Sequence, residues 1–75
     1  MFVGNCMGST MLFIGAKIRE ERKAQSLTQT ELANLSGVSL NFLSQLEQGK
    51  PSVQMDKVLL VLEALGLNME LKYSK

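Results

Sequence analysis

Between Ser39 and Leu46 the chain reads SLNFLSQL, eight residues without a charge in which Ser39, Asn41, Ser44 and Gln45 are interspersed with apolar side chains. Solvated helix faces usually carry Lys and Glu, so a face of neutral amides and hydroxyls asks for another use. Amides and hydroxyls match the donor and acceptor edges of base pairs, and Asn or Gln can hold adenine through two bonds. Little other chemistry is available. The chain has no histidine and a single cysteine, Cys6, and no paired carboxylates in a plausible cleft. An enzyme, a metal centre or a cofactor site therefore lacks its parts, and no small-molecule ligand is expected.

As a whole, 75 residues make one domain near the lower limit of a self-sufficient core, burying only about 60% of its unfolded surface. A partner or a dimer would help such a chain. Eight basic and seven acidic residues leave a net charge of +1, so composition alone does not announce a nucleic-acid binder. A lone cysteine rules out an internal disulfide and sits easily with a reducing cytoplasm. The uncharged opening, MFVGNCMGSTMLFI, lacks the basic start and unbroken apolar run of a signal peptide, and no stretch reaches the ~20 apolar residues of a membrane span. Residues 1–11 read as a loose extension, residues 12–67 as the folded domain, and residues 68–75 as a separate tail.

The elements that must position the uncharged face follow from periodicity and caps. Ser9 or Thr10 can cap a first helix to about Gln25, with Ile14 and Ile18 on its inner face and Lys17, Arg19, Glu20 and Lys23 mostly off it. Thr28-x-x-Glu31 is a capping box that starts a short helix with Leu32, Ala33 and Leu35 inward. Gly37 supplies the positive φ of a tight turn, Val38 plugs the corner, and Ser39 caps the next helix, which buries Leu43 and Leu46. Gly49 and Pro51 stop it, and Ser52 caps a last helix that ends at Gly66. In Asn68-Met69-Glu70-Leu71-Lys72-Tyr73 the period changes to two, that of a half-buried strand. No partner strand exists within the chain, so the expected solution is the same strand of a second subunit across a twofold axis. The fold expected is mostly α: a domain of four to five helices with a short dimerising C-terminal strand.

Two short helices joined by a glycine turn at this spacing form a helix-turn-helix, whose second helix enters the major groove of double-stranded DNA. Positive charge is needed at the phosphates and not at the bases. It can come from Lys50, Lys57, Lys17, Lys23 and the N–H groups of helix N-termini. Near neutrality is compatible with DNA binding, since a twofold dimer doubles each contact.

The segment Leu27 to Leu67 resembles the XRE-type helix-turn-helix domains of Cro and phage repressors. The matching pieces are Leu27-Thr28-Gln29, Glu31-Leu32-Ala33, Ser36-Gly37-Val38-Ser39, Leu43-Ser44, Glu47-x-Gly49-Lys50 and Ala64-Leu65-Gly66. With the first helix included, the likeness covers about Ile14 to Leu67. It implies an operator-binding repressor in which Gln29 contacts a phosphate at the start of the first motif helix, with Thr28, Lys50 and Phe42 also at the backbone. It implies that Ser39, Leu40, Asn41, Ser44 and Gln45 face the bases. Leu40 departs from the usual polar residue, and a thymine methyl would suit it. Arg22 and Glu47 stand where the family has a buried ion pair. Leu60 stands where it usually has a polar residue, so Leu60 is expected at the homodimer interface with Met69, Leu71 and Tyr73. The strand-like ending further resembles the HipB-type antitoxins, which repress their own operon and bind a HipA-type kinase toxin. The alternative is a phage-type or restriction-modification controller without a toxin partner.

Overall fold

The computed structural model of the chain describes residues 7–51 and 54–67, which hold four helices in the order α1 (Met7–Ala24), α2 (Gln29–Ser36), α3 (Leu40–Glu47) and α4 (Met55–Leu65). None of them is long and apolar enough to cross a membrane. Their inner faces meet in one core of Met11, Ile18, Leu32, Ala33, Leu43, Leu46, Val58, Val61, Leu62 and Leu65, with Ile14, Leu27 and Val38 packed at its margin. Each helix contributes a stripe at three- and four-residue spacing, and burial of those stripes drives the assembly.

Local chemistry sets the helix ends. At the end of α1, Gln25 N–H donates to the Glu21 and Arg22 carbonyls, and Ser26 takes a left-handed φ of 59°. The Leu27 N–H then donates to the Arg22 carbonyl at 3.0 Å and reverses the chain into α2. The capping box is complete: Glu31 N–H donates to Thr28 Oγ1 at 3.0 Å and Thr28 N–H to Glu31 Oε1 at 2.8 Å. Gly37, at φ 78°, ends α2, with its N–H and that of Val38 both donating to the Ala33 carbonyl. Ser39 starts α3, accepting from Phe42 N–H at 3.0 Å.

Several expectations from sequence need correction. Helix α1 begins at Met7, so Ser9 and Thr10 lie within it, and Met11 belongs to the core and not to a loose extension. Within α2, Leu35 is 65% exposed and its neighbour Ser36 is buried instead. The Ser36 hydroxyl donates to the Leu32 carbonyl at 2.7 Å, which makes this polar side chain acceptable inside. Helix α4 begins at Met55 with Gln54 at its N-cap, later than a cap at Ser52 would give; Ser52 itself lies outside the described residues. The strand expected over residues 68–75, with Met69, Leu71 and Tyr73, also lies outside them.

Candidate nucleic-acid interface

Helix α3 presents Leu40, Asn41 and Gln45 to solvent, with Ser39 exposed at its cap. The described residues offer the amides of Asn41 and Gln45 no partner, so both are available to a ligand. The Ser39 hydroxyl oxygen is occupied by the cap, yet its O–H remains a donor. Leu40 is 47% exposed, an apolar tip among polar neighbours. Ser44 is set apart: it is half-buried, and its hydroxyl accepts from Gln48 Nε2 at 3.2 Å.

What holds this face rigid lies behind it. The Arg22 guanidinium, on α1, grips the Glu47 carboxylate at the end of α3, with Nε donating to Oε2 at 2.7 Å and Nη2 to Oε1 at 3.1 Å. The side chains are 10% and 3% exposed, so the two-point pair is essentially dry. Arg22 Nη1 also donates to the Leu27 carbonyl at 2.8 Å, tying in the turn before α2. Gln29 Nε2 reaches the same Glu47 Oε1 at 3.1 Å. Three helices thus converge on one carboxylate, which fixes how α3 stands relative to α1 and α2. No buried side-chain nitrogen or oxygen among the described residues lacks a partner.

A close approach reinforces the pair. Gly15 of α1 sits against the Leu46 and Glu47 carbonyls, and a Cβ there would lie 2.9 Å from the Glu47 oxygen and closer still to that of Leu46. Gly49, at φ 84°, is likewise packed on Leu12, whose Cα would be 2.8 Å from an added Cβ. Both glycines let α1 lie directly on the end of α3.

The residues expected at the phosphates lie around α3, except Phe42, which belongs to it. Gln29 is half-buried and Thr28 exposed at the start of α2; Lys50 is exposed just past α3. Phe42 is half-buried, with Lys57 Nζ of α4 lying 5.9 Å from its ring centre. Lys23 is exposed on α1, while Lys17 is engaged with Glu20 at 3.7 Å. Leu60 is 43% exposed on α4, off the buried stripe of Val58, Val61, Leu62 and Leu65, and Leu59 beside it is 44% exposed.

Sequence reading did not single out Gln48, Arg19 or Gln25. Gln48 and Arg19 share a cleft of about 390 Å³ with Arg22, Gln29, Ser44 and Glu47. Gln25 Nε2 donates to the Leu65 carbonyl at 2.8 Å and joins the ends of α1 and α4. Periodicity carries no trace of such pairings, because each depends on how distant helices cross. The described residues hold no group of three His, Cys, Asp or Glu side chains suited to a metal.

Two eight-residue helices about a left-handed glycine, locked by a buried Arg–Glu pair, define a helix-turn-helix unit. The chain belongs to the helix-turn-helix family HTH_3, matched over residues 18–72, and is a transcriptional regulator of the XRE-like type. It is 50% identical over 58 residues to y4mF, an uncharacterized HTH-type transcriptional regulator of Sinorhizobium fredii, a match covering 77% of this chain and 76% of that one. The ImmF control region 10 kDa protein of Bacillus phage phi105 is 38% identical over 58 residues, covering 75% of this chain but 64% of the phage protein. Among solved structures, the restriction-modification controller protein C.AhdI from Aeromonas hydrophila superposes with a TM-score of 0.72 at 30% identity, covering 80% of this chain and 91% of C.AhdI.

Proposed function

We propose that the chain is a dimeric, sequence-specific regulator of the phage or restriction-modification controller type, acting on operator DNA in the bacterial cytoplasm. The observation that carries this reading is the exposed, uncharged face of α3, where the Asn41 and Gln45 amides have no partner among the described residues. Asn41 and Gln45 read base edges in the major groove, Ser39 and Ser44 contribute hydroxyls, and Leu40 meets a thymine methyl. Thr28, Gln29, Phe42 and Lys50 set the helix against the phosphates, which fixes register without reading sequence.

The relatives support the controller reading over the HipB-type antitoxin. One is named for a phage control region and another for a restriction-modification controller. The antitoxin reading, with its HipA-type kinase partner, draws on the alternation at Met69–Tyr73, outside the described residues. A kinase-like reading frame beside the gene would revive it.

The test begins with an operator selected by the wild-type chain from a randomised duplex pool. Asn41→Ala and Gln45→Ala are each expected to cost about 1–3 kcal/mol on that operator and to leave scrambled duplex nearly unaffected. Equal losses on both duplexes would remove these residues from the base-reading face.

A further inference from the structure

Arg19 is a cation to which the reading above gives no role. It is exposed on α1, has no partner among the described residues, and lines the cleft between α1 and α3. It shares that cleft with Arg22 of α1, Gln29 of α2, Ser44 and Glu47 of α3, and Gln48 at the C-cap of α3. Three helices therefore bring polar side chains to one hollow beside the base-reading face.

The electrostatics of the hollow favour an anion despite the carboxylate in its lining. Glu47 is already engaged: Arg22 holds both of its oxygens, at 2.7 and 3.1 Å, and Gln29 adds a third bond at 3.1 Å. Its charge is cancelled within the protein by Arg22, so the unbalanced charge facing the cleft is that of Arg19. Glu20, which lines the adjoining hollow with Arg19, is engaged by Lys17 at 3.7 Å. Donors remain free. A primary amide carries two N–H groups, and Gln29 spends one on Glu47 while Gln48 spends one on Ser44. The guanidinium of Arg19 adds up to five more, in a planar fork suited to two phosphate oxygens.

We propose that this cleft seats one phosphodiester of the bound duplex, gripped by Arg19 with the second amide N–H groups of Gln29 and Gln48. The seat rests on the operator-binding reading. A duplex docked on α3 brings its backbone alongside that helix, so the group arriving at the cleft carries a single negative charge on two free oxygens. Arg19 is then a backbone-positioning residue supplied by α1, which lies outside the two helices of the motif. The buried Arg22–Glu47 pair acquires a second consequence, since it aims the Gln29 amide into the same seat.

The experiment uses the full chain, the selected operator and its scrambled counterpart across a salt series, with Arg19→Gln and Arg19→Lys. Arg19→Gln is expected to weaken both duplexes by the same factor and to reduce the salt slope by about 0.9 for each phosphate that is no longer neutralised. Arg19→Lys should keep the slope while weakening binding, because the charge stays and the fork is removed. Operators carrying a single neutral methylphosphonate, walked along the backbone, locate the seated phosphate. At one position wild type should lose affinity while Arg19→Gln loses no more. An unchanged slope for Arg19→Gln, a loss confined to the selected operator, or equal methylphosphonate penalties in both proteins at every position would overturn the seat. Failure of the wild-type chain to enrich any duplex would instead strike the operator-binding reading itself.

Discussion

At the scale of single residues, the Arg22–Glu47 pair shows how a charge is made tolerable inside a small protein. An isolated ion taken from water costs several kcal/mol, and only geometry as good as two-point contact, with further hydrogen bonds, offsets that. Here the carboxylate receives three bonds and the guanidinium also serves the Leu27 carbonyl. Glu47→Ala would strand the Arg22 charge, release Gln29 and unpin α3 from α1. It is expected to cost about 3–5 kcal/mol. A thermal melt should fall by roughly 12 °C or more for a domain of this size. The two positions were legible in sequence through the family resemblance. The Gln29 bond to the same carboxylate was not, because 18 residues of chain separate the two and only helix crossing brings them together. A melt near that of wild type would mean that the pair behaves as an exposed one, worth under about 1 kcal/mol.

At the scale of elements, what was legible is what neighbouring residues decide. The Thr28–Glu31 box, the Gly37 turn and the Ser39 cap all depend on partners within four residues, and the structure has each of them. Leu35 failed that logic. An eight-residue helix has room for one inner stripe, and once Leu32 and Ala33 face inward the next turn offers Ser36, whose hydroxyl is satisfied by the Leu32 carbonyl. The start of α1 was missed because Ser and Thr favour caps without requiring them. Gly15 was invisible for a different reason: its role lies in the carbonyls of α3 pressed against it. Gly15→Ala should improve α1 as an isolated helix by up to about 1 kcal/mol. In the protein the added methyl meets backbone oxygens that cannot rotate away, so the net effect is expected to be destabilising by about 1–3 kcal/mol. Operator affinity should fall with it as α3 shifts. Gly37→Ala separates the causes, since its Cβ meets nothing within 4 Å and its cost arises from φ 78° alone. Denaturant melts of both variants make the comparison. A Gly15→Ala protein as stable as wild type, with full DNA affinity, would show that α1 does not set the position of α3.

At the scale of the whole molecule, one α3 reaches only a few base pairs, and selectivity against a genome of competing sites calls for two copies about one DNA turn, ~34 Å, apart. The surface of α4 offers a place for that pairing. Met55, Leu59 and Leu60 are 46%, 44% and 43% exposed, while Val58, Val61, Leu62 and Leu65 face the core. Scattered exposed leucines are ordinary, but three large apolar side chains within six positions of one helix are costly in a chain this short. The proposed dimer therefore covers Leu60; Met69, Leu71 and Tyr73, expected from sequence at the same interface, lie outside the described residues. Leu60→Glu places a charge where the second subunit would dry it, and that charge is free to stay in water only in the monomer. Sedimentation velocity of the variant is expected to show monomers of unchanged helicity, with operator affinity reduced by orders of magnitude and scrambled-duplex binding reduced less. Truncation after Gly66 should act in the same direction if the tail shares the interface. Dimers of Leu60→Glu with full operator affinity would move the twofold contact away from α4, and a wild-type chain sedimenting as a monomer on its operator would remove it altogether.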